Sequence, residues 1–353
     1  YISAREGKRM DRFTQMALAS AIQAVQDSGL DFEREDKDRA GVIVGTGIGG
    51  IKEIEEQYLR LLQKGPRKVS AFCVPKLMGN AASGCVSIQF GLRGPNLCVV
   101  TACASASHAI GEAFWNILCG RSDIMVTGGS EAALSPIGLA SFCALKSLST
   151  RNEDPQRASR PFDVDRDGFV LAEGAAILVL EEYEHAKQRG AKIYAELLGY
   201  GATGDGYHIT APLEDGAGAA KAMKQALEQA KLNPEQIDYI NAHGTSTQLN
   251  DAAETLAIKD VFKDHTYKVA VNSTKSCLGH SLGASGGIEL VVCAKTIEKG
   301  QIHPTVNLEN VAPECDPKID FVPGQSRQQQ VRYVLSNSLG FGGHNCCLII
   351  GKI

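Results

Sequence analysis

Short apolar runs, each closed by a turn of small residues, alternate along the chain with longer amphipathic segments. The amphipathic segments carry apolar residues at three- and four-residue spacing, which is typical of helices that cover a sheet. The runs are apolar throughout rather than alternating, so we expect both faces of each strand to be buried. This pattern predicts an α/β fold. The predicted strands span residues 40–44, 97–100, 123–127, 239–242, 269–271 and 332–335, and the clearest predicted helices span residues 11–28, 52–62, 218–231 and 251–262.

One arrangement occurs twice in the sequence. A strand, a turn of small residues and a helix rich in Gly, Ala and Ser appear at residues 97–113 and again at residues 269–289. We therefore predict two related halves that share one core, comprising residues 1–191 and 192–353. The loop at residues 148–168 is long and rich in Arg, Asp and Pro, but motifs bound it on both sides, so we do not assign it as a linker between independent domains.

Composition narrows the possible partners. The 353 residues include 36 Lys and Arg against 40 Asp and Glu, a net charge of -4, so no global basic field would attract nucleic acid or anionic lipid. The longest apolar stretches fall short of the roughly 20 residues that a membrane span needs, so we expect neither a membrane nor a nucleic-acid partner.

The eleven cysteines contain no CxxC pair and no Cys/His cluster at zinc spacing, which predicts reduced thiols and no metal site. The first eleven residues are too polar for a signal peptide. We therefore expect a cytoplasmic protein, or a plastid or mitochondrial one if a transit peptide has been removed.

Cys103 is the first candidate for chemistry. It lies where a predicted strand ends and a helix of small residues starts, within Thr101-Ala102-Cys103-Ala104-Ser105. There the sulfur would face the positive end of a helix dipole, which favours a thiolate. A lone cysteine in such a run is more often a small core residue, so this segment alone leaves both interpretations open.

His243 and His280 are the second candidates, because each lies in a Gly- and Ser-rich loop that follows a predicted strand. Open α/β sheets place their sites at such strand ends. Neutral histidines there could donate hydrogen bonds to a developing oxyanion. A third candidate is Phe341, because the glycines beside it would let the backbone approach a ligand and the ring swing; a plain tight turn with a packed Phe is the alternative, and we expect His344 to be structural.

A competing motif is Gly45-Thr46-Gly47-Ile48-Gly49-Gly50, which matches the G-x-G-x-x-G dinucleotide fingerprint and precedes a predicted helix. The fingerprint also requires an acidic residue about 20 positions further on. Residues 66–72 contain none. The motif therefore does not predict a nucleotide site.

Several motifs, in order, resemble a known family. They are residues 91–96 (GLRGPN) leading to 101–105 (TACAS), 157–163 (RASRPFD) leading to 166–170 (RDGFV), 243–247 (HGTST), 272–276 (NSTKS) with Gly279-His280, and 337–343 (NSLGFGG). From residue 5 to residue 353 the chain resembles the elongating, type II β-ketoacyl-acyl-carrier-protein synthases, which are condensing enzymes of the thiolase superfamily. The resemblance implies a thiolase-like fold of two related halves in a layered helix–sheet–helix–sheet–helix architecture.

The resemblance also implies a reaction. Cys103 takes an acyl group from its carrier as a thioester, and His243 and His280 assist loss of CO2 from the malonyl carrier and stabilise the enolate. The backbone amides of Cys103 and Phe341 form the oxyanion hole. The other implied site residues are Lys275 and Glu289, which order the charges; Thr245 and Thr247, which hold the pantetheine arm; Ile48, Phe142 and Thr210, which contact the substrate; and Arg5, Lys8, Arg9, Arg67 and Lys68, which dock an acidic acyl carrier protein.

Two histidines distinguish this chain from the initiating synthases, which pair the cysteine with His and Asn, and from the thiolases, which carry a second catalytic cysteine. A type II polyketide ketosynthase and a non-catalytic partner of the chain-length-factor type remain alternatives, although the latter type replaces the nucleophile. The resemblance further implies a homodimer without metal or organic cofactor, since the phosphopantetheine arrives with the carrier. The family usually opens with a strand ahead of the helix that contains Asp11, so we expect the first half to lack that strand.

Overall fold

The computed structural model describes residues Tyr1–Ile353 and contains two compact units. Unit 1 comprises Tyr1–Ser141, Glu173–Lys192 and Ser281–Ile288, and unit 2 comprises Phe142–Ala172, Ile193–His280 and Glu289–Ile353. The division predicted at residue 191 falls beside the end of the second segment of unit 1. Two segments depart from that division: Phe142–Ala172 belong to unit 2 and Ser281–Ile288 belong to unit 1. No sequence pattern predicts either assignment. None of the helices combines the length and the apolar character needed to cross a bilayer.

Helices and strands alternate along most of the chain. The strands are β1 (Ala40–Gly45), β2 (Asn96–Val99), β3 (Ile124–Glu131), β4 (Gly174–Glu181), β5 (Glu196–Gly204), β6 (Tyr239–Asn241), β7 (Ala270–Asn272), β8 (Gln301–Ile302), β9 (Arg327–Gln328), β10 (Tyr333–Gly340) and β11 (His344–Gly351). The helices are α1 (Ala4–Gly7), α2 (Arg12–Ser28), α3 (Ile51–Lys64), α4 (Cys73–Leu77), α5 (Ala81–Phe90), α6 (Ser105–Leu118), α7 (Pro136–Ala144), α8 (Tyr183–Gln188), α9 (Ala217–Ala230), α10 (Gln248–Phe262), α11 (Lys275–Leu278) and α12 (Ser285–Lys299).

Unit 1 is built on a four-stranded sheet with the order β2-β1-β3-β4. β1 runs parallel to β2 and β3, whereas β4 runs antiparallel to β3. Every residue of β1 is buried, as its apolar run predicts. Helix α2 covers the sheet through residues such as Phe13 and Ala17, which pack with Val42, Val44 and Val126. The helix begins at the predicted place because the Asp11 carboxylate accepts the Phe13 amide.

The prediction that all of these strands are buried on both faces is wrong for β2. Leu97 is 52% exposed, and Val100, just beyond the strand, is 59% exposed. The reason is topological, since β2 pairs only with β1 and forms an edge of the sheet. An apolar run cannot by itself distinguish a central strand from an edge strand.

Unit 2 is built on a five-stranded sheet with the order β5-β11-β10-β6-β7. β6 is parallel to both β10 and β7, whereas β10 and β11 form an antiparallel hairpin and β5 pairs with β11. Its core joins Ile240 and Leu335 of the sheet to Met223 of α9 and Ile258 of α10. The parallel arrangement brings the ends of β6 and β7 to the same edge, where the loop carrying His243 begins and where a short connection leads to Lys275 at the start of α11.

The internal repeat predicted from the sequence has a structural counterpart in two short 3-10 turns. Ala102–Ala104 leads directly into α6 at Ser105, and Leu282–Ala284 leads directly into α12 at Ser285. In both turns the first residue is a non-glycine residue with a left-handed backbone, with φ of 50° at Ala102 and 47° at Leu282. Two such outliers at matching positions indicate a shared local design rather than chance.

Candidate active site

Cys103 lies in the 3-10 turn between β2 and α6, which is the strand-to-helix junction predicted from the sequence. Its side chain is almost fully buried, with the residue 7% exposed. The hydroxyl of Ser105 accepts the Thr101 amide at 2.9 Å and donates to the Ala102 carbonyl at 2.7 Å. The turn that carries the thiol is therefore fixed by hydrogen bonds on both sides of the left-handed Ala102.

The loop at residues 45–50, also in unit 1, is held by a buried carboxylate. Glu131, at the end of β3, accepts hydrogen bonds from the amides of Gly47 and Ile48 at 2.5 and 3.2 Å and from the Thr46 hydroxyl at 3.0 Å. It also accepts the Gly283 amide at 3.1 Å. The amides that would cradle a pyrophosphate in a dinucleotide site already bind this side chain, which explains why the glycine pattern is present without nucleotide chemistry. The Ile48 side chain at this loop is partly exposed.

His243, in unit 2, lies just after β6 and is fully buried. A second buried carboxylate, that of Glu254 on α10, accepts the backbone amides of His243 and Gly244 at 2.8 and 2.9 Å. Burial raises the pKa of Glu254 to about 7 even though these amides lower it. This clamp fixes the backbone on which the His243 ring is mounted.

Lys275 determines the hydrogen bonding of the His243 ring. Its ammonium lies 3.3 Å from Nδ1 of His243 and forms a buried ion pair with Glu289, in which both side chains are 2% exposed. Because an ammonium has only donors, Nδ1 of His243 accepts, and the neutral ring carries its proton on Nε2. His243 therefore presents Nε2–H as a hydrogen-bond donor.

His280 lies beside His243, with the two ring centroids 5.5 Å apart and the rings nearly perpendicular. Its backbone is tied to the segment before β4, because its amide donates to the Val170 carbonyl at 2.7 Å and its carbonyl accepts the Ala172 amide at 2.9 Å. The Phe169 ring meets His280 edge-on at 5.1 Å and meets Phe142 edge-on at 5.5 Å. Phe142 is thus connected to the histidine pair through Phe169.

Both histidines are neutral. Burial is the main cause that holds the pKa of His243 well below its ordinary value, followed by the charge of Lys275 and by the cost of protonating His243 beside His280. Burial and then Lys275 likewise hold the pKa of His280 well below its ordinary value. Two neutral imidazoles are suited to donating hydrogen bonds to a developing negative charge.

The remaining predicted substrate residues of unit 2 lie in loops. The hydroxyls of Thr245 and Thr247 lie 2.9 Å apart, in the loop between β6 and α10. Thr210 lies in the loop after β5, where its amide donates to the His208 ring at 3.1 Å. No hydrogen bond joins Thr210 to the threonine pair, so hydrogen bonding does not group these residues as one binding surface.

Phe341 lies in the three-residue turn of the β10–β11 hairpin, in which Gly340 pairs with His344. Gly342 and Gly343 have φ of 86° and 73°, which favour glycine. The turn is anchored to the loop after β5, because the Gly342 amide donates to the Ile209 carbonyl at 2.7 Å and the Gly343 carbonyl accepts the Asp205 amide at 2.9 Å. Any movement of Phe341 on its backbone must break or carry along these two hydrogen bonds.

The five predicted docking residues belong to unit 1 and are exposed. Arg5, Lys8 and Arg9 lie on and just after α1, and Arg67 and Lys68 lie in the 3-10 turn Pro66–Lys68. The guanidinium of Arg9 lies 5.4 Å above the Phe72 ring, which brings the two parts of the sequence together. None of the five has an ion-pair partner, so no carboxylate offsets the charge of the patch.

Three residues of evident importance to the site were not predicted from the sequence. Glu131 and Glu254 fix backbone amides, and Phe169 contacts His280. Phe169 lies in the 166–170 motif, so the sequence marked its position but did not indicate its role. The two glutamates gave no local signal, because each acts on a loop that is distant in the chain or separated by an element boundary.

Comparison with known proteins finds the family that the sequence motifs resemble, with matches along the whole chain. The family "Beta-ketoacyl synthase, N-terminal domain" matches residues 1–186, and "Beta-ketoacyl synthase, C-terminal domain" matches residues 194–309. A protein of Synechocystis sp. named 3-oxoacyl-[acyl-carrier-protein] synthase 2 is 52% identical over 352 residues, which cover 100% of this chain and 84% of that protein. The protein of the same name from Vibrio cholerae is 49% identical over 355 residues, covering 100% and 85%.

Solved structures agree with the sequence comparison. The structure described as a type II PKS acyl-carrier protein in complex with its ketosynthase bound to the hexaketide has a TM-score of 0.94 and 39% identity, covering 97% of this chain and 85% of the matched chain. A β-ketoacyl synthase from Burkholderia phymatum has a TM-score of 0.92 and 38% identity, covering 99% and 85%.

Proposed function

The chain belongs to the β-ketoacyl synthase family and has the thiolase-like α/β fold that the sequence predicts, and we propose that it elongates fatty acyl chains by decarboxylative condensation with a malonyl group. It is an acyl-transferring enzyme that forms carbon–carbon bonds. Its proposed substrates are acyl and malonyl thioesters of acyl carrier protein, and the name 3-oxoacyl-[acyl-carrier-protein] synthase 2 of its relatives supports a carrier-bound acyl group.

The observation that carries the proposal is the pair of neutral, buried histidines. His243 and His280 lie side by side, and Lys275 leaves the proton of His243 on Nε2. A condensing enzyme must stabilise a thioester enolate, and neutral N–H donors in a site with little water can hydrogen-bond to the enolate oxygen without transferring a proton to the enolate. Charged imidazolium groups would protonate the enolate, which could then no longer attack the acyl thioester.

The first half-reaction is acyl transfer to Cys103. The thiolate attacks the carbonyl carbon of the acyl-carrier thioester, and the carrier phosphopantetheine leaves as a thiolate that takes up a proton. We propose that the amides of Cys103 and Phe341 bind the oxyanion of the tetrahedral intermediate. The position of Cys103 in a rigid turn ahead of α6 supports its role as the nucleophile.

The second half-reaction begins with the malonyl carrier. Its carboxylate leaves as CO2, and the electron pair of the broken bond forms an enolate whose oxygen accepts hydrogen bonds from His243 and His280. The enolate carbon then attacks the carbonyl of the Cys103 thioester, which creates the new carbon–carbon bond and releases the thiolate. The ion pair of Lys275 and Glu289 supports this step by holding His243 in its tautomer and both histidines neutral.

Substrate contacts follow from the same proposal. Thr245 and Thr247 hold the pantetheine arm, and their hydroxyls already lie together. Ile48 and Phe142 contact the acyl chain, and Thr210 contacts the substrate near the turn that carries Phe341. The reaction requires no metal and no organic cofactor of the enzyme's own, because the thioesters are activated by the carrier's phosphopantetheine.

An acyl carrier protein docks on the patch of Arg5, Lys8, Arg9, Arg67 and Lys68. Carrier proteins are acidic, and exposed cations of this kind mainly raise the rate of encounter. A solved neighbour that is 39% identical contains a ketosynthase together with its acyl carrier protein, which supports this partner.

A second copy of the chain covers the edge strand β2. The strand leaves its outer backbone groups unpaired, and apolar side chains of the flanking helices are exposed beside it, including Ile88 of α5 at 81% and Trp115 of α6. Edge strands with an apolar surround are prone to pairing, so a homodimer through this edge would satisfy both features.

Phe341 gates the order of binding. One position of its ring blocks the malonyl side while Cys103 carries no acyl group, and the other opens that side once an acyl chain is bound. The hydrogen bonds to Ile209 and Asp205 couple this movement to the loop after β5. Phe341→Ala should allow malonyl carrier to be decarboxylated by unacylated enzyme. If this uncoupled decarboxylation does not rise, Phe341 is a fixed wall.

Intact-protein mass spectrometry after incubation with a series of acyl carriers tests the proposed function. We expect one acyl adduct per chain, on Cys103, and its conversion to a carrier-bound β-ketoacyl product when malonyl carrier is added. Turnover of polyketide starters but not of fatty acyl carriers would instead indicate a type II polyketide ketosynthase, a candidate favoured by the 39% identical neighbour. A chain that never acquires an adduct would be a non-catalytic partner.

A further inference from the structure

We propose that Ser105 is a positioning residue that holds the nucleophile turn in its left-handed conformation. The proposal rests on the proposed function, because it assumes that Cys103 is the nucleophile.

The first step of the argument is the conformation of Ala102. Its φ of 50° is one that a residue with a Cβ rarely adopts, and it immediately precedes Cys103. Such outliers persist only where the surroundings determine them, and they concentrate at functional sites. Something must therefore hold Ala102 in place.

The second step identifies what holds it. Ser105 is fully buried, and its hydroxyl accepts the Thr101 amide at 2.9 Å while donating to the Ala102 carbonyl at 2.7 Å. A hydroxyl donates one hydrogen bond through its proton and accepts others through its lone pairs, so Ser105 makes both of these hydrogen bonds at the same time. Both partners lie before the helix, so the side chain reaches backwards and secures the turn rather than capping the free amides of α6.

The third step is a further tie on the same segment. The Thr101 hydroxyl lies 2.8 Å from Nδ1 of His108, which is on α6. Both the backbone and the side chain of Thr101 are thus fastened to the first two turns of α6. Ser105 is the member of this pair that touches Ala102 itself.

The twin turn at Leu282 provides the comparison. It has the same left-handed first residue and the same serine at the start of the following helix, Ser285, but it carries Gly283 where the first turn carries Cys103. The Ser285 hydroxyl lies 3.2 Å from the Ser281 hydroxyl. The two serines are therefore matched in position and burial, yet only one braces a turn with a reactive side chain.

Pre-steady-state acylation tests the proposal, with a medium-chain acyl carrier as the probe and with Ser105→Ala and Ser285→Ala as matched variants. We expect Ser105→Ala to lower the maximal acylation rate of Cys103 on the order of 10- to 100-fold, since a displacement of about 1 Å can have this effect. The half-saturating carrier concentration should stay within about twofold, because the docking patch is untouched. Ser285→Ala should change the acylation rate by less than about threefold.

Iodoacetamide labelling of the same samples shows whether unit 2 is intact. Cys293 and Cys315 are buried in unit 2 and should remain unlabelled in both variants. The proposal is overturned if Ser105→Ala acylates at the parent rate, if Ser285→Ala slows acylation equally, or if the buried cysteines become reactive along with the loss of rate. If the parent itself forms no Cys103 adduct, the proposed function is at fault rather than the role of Ser105.

Discussion

Removing Lys275 should separate its contribution to stability from its contribution to catalysis. Lys275 and Glu289 form an ion pair with both side chains 2% exposed, so the charges are almost completely desolvated. Replacing Lys275 with Met leaves the Glu289 carboxylate buried without a counter-charge, which should lower the free energy of unfolding by about 3–5 kcal/mol. Replacing both partners, as in Lys275→Met with Glu289→Leu, removes the unpaired charge, so most of the loss should be recovered.

The pH dependence of the single variant follows from the same contacts. Burial raises the pKa of Glu289, and Lys275 is what lowers it. Without Lys275 the folded-state pKa of Glu289 rises further, so the folded protein binds a proton that the unfolded chain has already lost. Stability of this kind is present at low pH and is lost as pH rises through the folded pKa. Lys275→Met should therefore be closer to the parent in stability at pH 5 than at pH 8.

Catalysis should not recover in the double variant. The Lys275 ammonium keeps the proton of His243 on Nε2, and neither Met nor Leu can replace that donor. We expect both variants to lose malonyl decarboxylation, although only the single variant is strongly destabilised. Urea unfolding of the parent, the single variant and the double variant at pH 5 and 8, together with release of labelled CO2, provides the measurements. At pH 8, a single variant within about 1 kcal/mol of the parent, or a double variant as unstable as the single one, would refute the reasoning.

Further predictions concern the nucleophile, the carrier, the hairpin turn and the second buried carboxylate. Cys103→Ala should abolish acylation, while Cys103→Gln should lose condensation but keep malonyl decarboxylation; an acyl group mapped to another cysteine contradicts this. Reversing Arg67 and Lys68 to Glu should raise the KM for carrier substrates up to about fivefold per residue, at about 0.2–1 kcal/mol each, and weaken its salt dependence; an unchanged KM across ionic strengths removes the patch. Gly343→Ala should slow acylation, because the new Cβ would lie 2.7 Å from the Cβ of Asp205 at a φ of 73°; acylation at the parent rate would show that the turn yields freely. Burial raises the pKa of Glu254 from 4.5 to about 7, so the parent should lose stability as pH rises across that interval, and Glu254→Gln should lose this slope in urea titrations.

The sequence predicted the positions of helices and strands better than their burial and their packing partners. The helix at residues 11–28 and the strand at residues 40–44 follow from local patterns, and the structure has them as Arg12–Ser28 and Ala40–Gly45. The exposure of β2 could not be predicted, because its place at the edge of the sheet depends on which strands pair beside it. The exchange of Ser281–Ile288 into unit 1 likewise depends on packing at long range.

The same difference applies to the site. His243 and His280 were identifiable from their strand-end loops, and Lys275 only through the family resemblance. The contact of Lys275 with Nδ1 of His243 required the fold, because it joins loops from two different strands. Phe169 was inside a recognised motif, but its edge-on contact with His280 depends on a segment that no local rule directs there.

The two carboxylates that the sequence did not reveal solve one physical problem in the same way. Glu131 accepts the consecutive amides of Gly47 and Ile48 after β1, and Glu254 accepts the consecutive amides of His243 and Gly244 after β6. Each loop leaves the end of a parallel strand, where nucleotide-binding α/β proteins direct free amides at a phosphate. Here a side chain of the protein itself accepts those hydrogen bonds, so the loops are held in place before any substrate arrives. A rigid loop is what an acyl-transfer site needs, because its donors must already point at the position where the charge will develop.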